Sequence, residues 1–172
     1  MIRLAEQKDI LSIADTYTEL LQYEREFGSH SNWQLGVYPT IKVPEEKVPA
    51  KMMYVLEENQ KICASMVLNQ EQPEEYREIS WNFPAADENV LVIHTLCIPP
   101  SMSKRGYGKQ MVAFAKSYAV THGCHVIRID TYARNEPAKG LYLKNGFQIA
   151  CYGRMLLQGL IEEEQVYLEI KL

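Results

Sequence analysis

Apolar residues recur along this chain with two different periods, and the switches between them lay out its elements. Ile2 and Leu4 alternate with polar neighbours in strand fashion, and Ile10, Ile13, Ala14, Tyr17, Leu20 and Leu21 then trace one face of a helix that ends by Gly28. From Gly28 to Pro49 the pattern breaks into Gly, Ser, His, Asn and Pro, with Trp33 and Tyr38 embedded in it. Lys51 to Glu57 and Lys61 to Leu68 read as strands joined by Glu58-Asn59-Gln60, a polar connection of hairpin type. Gln70 to Asn89 is acidic and polar, with Trp81 and Phe83 inside it and Pro73 and Pro84 interrupting any long helix; Glu74, Glu75 and Glu78 read as a solvated face. Val90 to Ile98 is nearly continuous in apolar, β-branched residues, as suits a strand buried on both faces, and Pro99-Pro100 ends it. Met111, Phe114, Ala115, Tyr118, Ala119 and His122 form the face of a second long helix, with Gly123 where a left-handed cap is expected. Val126 to Thr131 alternates again, Pro137 suits the first turn of a short helix ending at Asn145-Gly146, and Phe147 to Met155 and Val166 to Leu172 close the chain as strands, with Glu162-Glu163-Glu164 between them. Strands and helices intermixed without repeats predict a single α/β domain over residues 1–172, built on a mixed, largely antiparallel sheet flanked by helices.

Between the apolar strand and the second long helix lies Ser103-Lys104-Arg105-Gly106-Tyr107-Gly108-Lys109. Glycine lets the backbone approach a ligand closely, and the first N–H groups of a helix are unpaired donors at the positive end of its dipole, so such a turn receives an anion without special side chains. On its own a Gly-x-Gly turn is as well explained by chain reversal with cations facing water. Its setting adds weight, because the chain carries a net charge of −4 with a pI near 5.6, which argues against nucleic acid as the general partner and makes a basic turn unusual. Cys63, Cys97, Cys124 and Cys151 form no C-x-x-C pair, the four histidines lack ligand-like spacing, and no metal is implied. Arithmetic leaves disulfides open; with no secretory signal and no transmembrane run, free thiols in the cytoplasm are expected, away from any membrane.

The run Ile93-His94-Thr95-Leu96-Cys97-Ile98-Pro99, then Arg105-Gly106-Tyr107-Gly108, then Asn135 and Leu141-Tyr142-Leu143-Lys144-Asn145-Gly146-Phe147 resembles, in order and spacing, the acyl-CoA core of the GNAT superfamily of N-acetyltransferases. The resemblance covers Val90 to Tyr152. It implies an enzyme that moves an acetyl group from acetyl-CoA, as cosubstrate, to a primary amine of a small molecule or peptide, by direct transfer in a ternary complex. Homodimers are frequent in that superfamily. One departure stands out: the family carries Gln or Arg three residues before the first glycine, where this chain has Ser103.

The resemblance assigns roles residue by residue. Backbone groups of Leu96, Cys97 and Ile98 would pair with the pantetheine chain, and Ser103 to Lys109 would hold the pyrophosphate. Asn135 would contact CoA or order the loop, although its place before a helix equally suits a cap. Tyr142 would protonate the departing thiolate, since a phenol with an ordinary pKa of about 10 keeps its proton at neutral pH. His94 shares strand parity with Leu96 and Ile98 and is the candidate base; Glu75, Glu78 or water are alternatives. Trp33 and Tyr38 lie where the family shapes its acceptor pocket, or they pin an irregular loop to the core. A noncatalytic acyl-CoA sensor of the same fold stays open beside the enzyme.

Overall fold

The two periods resolve into seven strands and four helices in a computed structural model that describes residues 1–172. The strands are β1 (Ile2–Leu4), β2 (Met53–Glu58), β3 (Lys61–Asn69), β4 (Val90–Cys97), β5 (Val126–Tyr132), β6 (Gln148–Leu157) and β7 (Ile161–Lys171). They form one sheet in the order β1-β2-β3-β4-β5-β7-β6. The helices are α1 (Ile10–Phe27), α2 (Lys42–Lys47), α3 (Tyr107–Thr121) and α4 (Glu136–Lys144). β1 with β2, β2 with β3, β5 with β7 and β6 with β7 are antiparallel, whereas β4 and β5 run parallel through Val90, Leu91 and Val92. The sheet is therefore mixed and largely antiparallel, and α3 supplies the crossover that a parallel pair requires. No helix is long and apolar enough to cross a membrane.

Two compact units divide the chain, with the division falling before the last residue of β3, inside β4 and inside α3. One comprises Met1–Ser29, Trp33–Leu68 and His94–Met111; the other comprises His30–Asn32, Asn69–Ile93 and Val112–Leu172.

In the first unit α1 lays Ile10, Ile13 and Tyr17 against Met53, Val55, Val67 and Cys97. Ile13 and Tyr17 are buried almost completely, and burying an isoleucine side chain contributes about 1.5–3 kcal/mol. Gly28, at φ +108°, ends α1 in a conformation that a Cβ would resist. The β2–β3 hairpin turns on Asn59 and Gln60, both left-handed at φ +50° and +62°, the geometry of a two-residue type I′ turn. Arg3 staples this unit: its Nη1 and Nη2 reach both Asp9 carboxylate oxygens at 2.7 and 3.1 Å, and Nε and Nη2 reach Glu57 Oε2 at 2.8 and 2.6 Å.

In the second unit Tyr76, Val90, Val92, Val126 and Tyr167 form a core, and Tyr76, Trp81 and Tyr167 meet edge to face with centroids 5.1 to 6.2 Å apart. The polar segment after β3 is thus anchored by aromatics, while Glu74 and Glu78 face water as expected and Glu75 is half-buried.

Two expectations need correction. The broken stretch before β2 contains α2, six residues long, whose Pro44 sits in the first turn, where a missing N–H costs nothing. And Glu162-Glu163-Glu164 is not a connection: β7 begins at Ile161, with Ile161, Glu163 and Gln165 facing in and Glu162 and Glu164 out. Three like charges mask a strand when alternation is read from hydrophobicity alone.

Candidate active site

In the first unit, β4 ends with Thr95 and Cys97 buried and His94, Leu96 and Ile98 half-buried, so the parity expected for His94 holds. Thr95 has φ +49°, a left-handed conformation that a β-branched residue adopts only under constraint. Its side chain meets Tyr38, whose hydroxyl hydrogen-bonds Thr95 Oγ1 at 2.6 Å, and Trp33 packs edge-on against the Tyr38 ring at 5.8 Å. These contacts fasten both aromatics to the end of β4. Cys97 lies under α1, its sulfur 3.9 Å from Thr16 Oγ1, and burial pushes its thiol up to about 12. It is a neutral core residue at working pH. All four cysteines are free.

After β4 the chain makes a short 3-10 turn at Pro100–Met102 that α1 holds through Glu19, which accepts from Ser101 N–H at 2.8 Å and from its hydroxyl at 3.1 Å. Lys104 at φ +60° and Gly106 at φ +79° then reverse the backbone into α3. The first helical bond runs from Gln110 N–H to Gly106 C=O at 3.2 Å, so the N–H groups at the start of α3 precede the helix's own pairing. Ser103, Lys104, Arg105, Gly106 and Lys109 are exposed; Gly108 is buried. A Cβ at Gly106 would meet nothing within 4 Å, which leaves open space above the turn. Tyr107 is the exception within the set: its side chain is buried and its hydroxyl donates to Glu58 Oε2 at 2.5 Å, anchoring the helix start to the β2–β3 hairpin. Only its main chain remains available to a ligand.

In the second unit, α4 is capped by Asn135, whose side-chain oxygen accepts from Ala138 N–H at 3.1 Å while its amide donates to Thr131 Oγ1 at 3.3 Å. The capping alternative is what these bonds show. Tyr142 projects from α4 as a buried ring packed against Phe147 at 5.5 Å. Burial, with the charge of Asp130 adding to it, holds its phenol well above the ordinary value.

The sequence reading missed the face of β5 and β7. Arg128 lies opposite Glu169, Asp130 opposite Tyr167 and Tyr132 opposite Gln165, and partners directly across an antiparallel ladder point to the same side. The result is a row of polar groups where an apolar face would ordinarily pack. Arg128 stacks over Trp81 at 4.3 Å and donates to Gln72 Oε1 at 2.6 Å and to Phe83 C=O at 3.1 Å. Glu169 accepts the N–H groups of Asn82 and Phe83. Glu163 accepts from Asn32 Nδ2 at 2.7 Å and from Gln165 Nε2, and burial raises its carboxyl. Asp130 accepts the Tyr76 hydroxyl at 2.7 Å, and burial, opposed by that bond and reinforced by Glu75, pushes its carboxyl up to about 6. A hollow of about 630 Å³, lined by Gln72, Tyr76, Arg77, Trp81, Asp87 and Arg128 among others, opens beside this row. The signal was present in Arg128 and Asp130, two ionisable residues at alternate positions of an otherwise apolar strand, a pattern at odds with a simple core.

Residues 12–147 match the sequence model of the acetyltransferase (GNAT) family. Among solved structures, a Staphylococcus aureus Mu50 protein assigned as an acetyltransferase superposes with a TM-score of 0.73 at 27% identity, covering 99% of this chain and 98% of that one. A GNAT-family acetyltransferase of Streptococcus agalactiae reaches a TM-score of 0.81 at 19% identity, over 100% and 95% of the two chains. A Salmonella typhimurium protein solved with its cofactor acetyl-CoA gives 0.68 at 14% identity, over 99% and 92%. No curated protein sequence matches the chain.

Proposed function

Because the chain belongs to the acetyltransferase (GNAT) family, we propose that it moves the acetyl group of acetyl-CoA onto a primary amine of a small molecule or peptide, by direct transfer with donor and acceptor bound together. The observation that carries this reading is the turn after β4. Its left-handed Lys104 and Gly106 lead into the unpaired N–H groups of α3, with open space above Gly106 and the exposed cations Lys104, Arg105 and Lys109 around it. Such a cradle fits a pyrophosphate held mainly by main-chain donors, which is why Ser103 in place of a longer polar residue weakens one contact and leaves the site. Backbone groups from Leu96 to Ile98 take the pantetheine chain. When bound, acetyl-CoA supplies the activated acyl group.

This chain's own residues do the rest. Tyr142 keeps its proton throughout the neutral range and gives it up as charge develops on the leaving sulfur; its raised affinity couples the transfer to C–S cleavage rather than letting it run ahead. Trp33 and Tyr38, beside the kinked end of β4, wall the acceptor. An ammonium must lose a proton before it attacks, and His94, half-buried on β4, is one group that could take it. The whole of residues 1–172 is one catalytic domain in this reading.

Calorimetric titration with acetyl-CoA, ATP and a nicotinamide dinucleotide, followed by thiol-release assays over a panel of primary amines, tests it. Acetyl-CoA should bind specifically and at least one amine should release thiol. A folded sample that binds no acetyl-CoA, or that binds another of these ligands more tightly, overturns the proposal; binding without turnover of any amine points to the sensor instead.

A further inference from the structure

We infer that the hollow of about 630 Å³ in the second unit binds a free α-amino acid with an apolar side chain, its carboxylate on Arg128 and its ammonium on Asp87. Every residue lining the hollow belongs to that unit, and none takes part in the proposed transfer, so the site goes beyond the acetyltransferase reading.

Arg128 is the starting point, because it is a buried cation without an ion pair. It is 5% exposed; Nη1 donates to the Gln72 side-chain oxygen, Nη2 to the Phe83 carbonyl, and Nε has no partner. Glu169, directly across the ladder, turns its oxygens to the main-chain N–H groups of Asn82 and Phe83 instead. Burial lowers the proton affinity of the guanidinium, and Glu169, Tyr76 and Asp87 offset this only through their charge at a distance. A buried cation held by neutral acceptors carries a desolvation cost that an anion seated on it would relieve.

Gln72 indicates the chemistry of the ligand. Its Oε1 accepts from Arg128 Nη1 at 2.6 Å and its Nε2 donates to Asp87 Oδ1 at 2.7 Å. A guanidinium only donates and a carboxylate only accepts, so the amide has this one orientation. A neutral dipole thus bridges a cation and an exposed carboxylate, with its negative end on Arg128 and its positive end on Asp87. A free α-amino acid has the same polarity with full charges, and hydrogen bonds between charged groups are about twice as strong as neutral ones. Gln72 is half-buried and its side chain has no other hydrogen bond, so the ligand displaces it without disturbing a further contact. The segment from Gln70 to Asn89 is acidic, which repels a plain anion but not a zwitterion.

The side chain of the ligand has its own wall in Ile79, Trp81, Pro84 and Ala85. Trp81 is fixed there: Arg128 stacks on its ring at 4.3 Å, and its indole N–H donates to the Tyr76 carbonyl at 2.9 Å. Apolar walls with a few placed polar groups, formed before the ligand arrives, are the usual build of a small-molecule site. An ammonium held on Asp87 stays charged and has no lone pair with which to attack a thioester, so the hollow holds its ligand rather than presenting it for transfer.

The test is calorimetry on the wild-type chain together with fluorescence of Trp33→Phe, in which Trp81 is the sole indole and reports the hollow directly. Alanine, valine, leucine, methionine and phenylalanine at millimolar concentration are the probes. The methyl ester of the tightest binder, which lacks the carboxylate, and its N-acetyl form, which lacks the ammonium, are the controls. At least one free amino acid should bind saturably and shift the Trp81 emission, and each control should bind about 10-fold more weakly or worse. Arg128→Met keeps an apolar stem over Trp81 and removes a buried charge, a change that folded proteins tolerate, and should weaken binding by about 30-fold or more. Asp87→Asn, at an exposed position, should weaken it by about 2- to 5-fold. Gln72→Ala should strengthen it by about 3- to 10-fold, because the ligand no longer has an amide to displace; a merely structural Gln72 predicts the reverse. Absence of binding by every free amino acid, an ester that binds as tightly as the acid, or weaker binding in Gln72→Ala would overturn the proposal. An N-acetyl form that binds as tightly as the free amino acid would overturn the zwitterion in favour of a simple carboxylate.

Discussion

Replacing Gly106 by glutamate separates a phosphate cradle from an ordinary turn. The residue sits at φ +79° with open space where a Cβ would project, so the substitution meets no steric clash and costs only left-handed strain, about 1–2 kcal/mol of folding stability. A chain of this size tolerates that loss. Taking a separation of about 6 Å between the new carboxylate and a pyrophosphate bearing about two negative charges, each charge pair repels by about 0.7 kcal/mol in bulk water and about twice that at half the dielectric constant. The total, about 1.5–3 kcal/mol, corresponds to a loss of about 10- to 150-fold in acetyl-CoA affinity. Gly106→Ala carries the same backbone strain without the charge and is the control. Calorimetry at low and high salt supplies the decisive contrast, because the Debye length falls from about 30 Å at 0.01 M to about 3 Å at 1 M ionic strength, so a repulsion across about 6 Å is felt at low salt and screened at high salt. The glutamate variant should approach the alanine variant as salt rises. If the two bind acetyl-CoA equally at low salt, or if the deficit ignores salt, the turn does not hold the phosphates and the roles built on it fall.

Three other outcomes follow from the same structure. Tyr142→Phe should cut turnover by about 100-fold or more with acetyl-CoA affinity retained, and unchanged turnover in a thiol-release assay would remove the tyrosine from the acid role. Arg3→Met should cost about 2–4 kcal/mol in urea unfolding, because it strands the buried Asp9 carboxylate that Arg3 holds below the ordinary range. Since the folded pKa of Asp9 is depressed, that stability is complete above about pH 4 and lost as pH falls through the folded value. The gap between wild type and variant must therefore close on acidification, and a constant gap would show that packing rather than charge was lost. Cys97, with its thiol pushed up to about 12 under α1, should resist iodoacetamide in the native protein at pH 8 and carry no acetyl group after incubation with acetyl-CoA alone; an acetylated Cys97 by intact-mass spectrometry would refute direct transfer.

What the sequence by itself determined was local in character. The strand run from Val90, the proline stop, the basic glycine turn and the periodic face of the next helix are all contained in a few dozen consecutive residues, and each owes its form to steric and hydrogen-bonding preferences that act within a turn or two. The same holds for α1 and its Gly28 end, for the β2–β3 hairpin and for Pro137 at the start of α4. The resemblance added roles to those residues but no contacts. Local reading failed where charge obscured a period, as at Glu162-Glu163-Glu164, and where a six-residue helix was too short to show one, as at Lys42–Lys47.

Only the tertiary structure decided which side chains meet. Tyr76 reaches Asp130 across 54 residues of sequence, Tyr38 reaches Thr95 across 57, and Asn32 reaches Glu163 across 131. Tyr107, which reads in sequence as part of a ligand turn, spends its hydroxyl on Glu58, and Asn135 spends its side chain on a helix cap. The polar row on β5 and β7 exists because antiparallel register places Arg128, Asp130 and Tyr132 opposite Glu169, Tyr167 and Gln165, and a shift of one residue would turn a whole set to the other face. Register is a property of paired strands, so no single strand in the sequence could reveal that its lone aspartate faces a phenol rather than water.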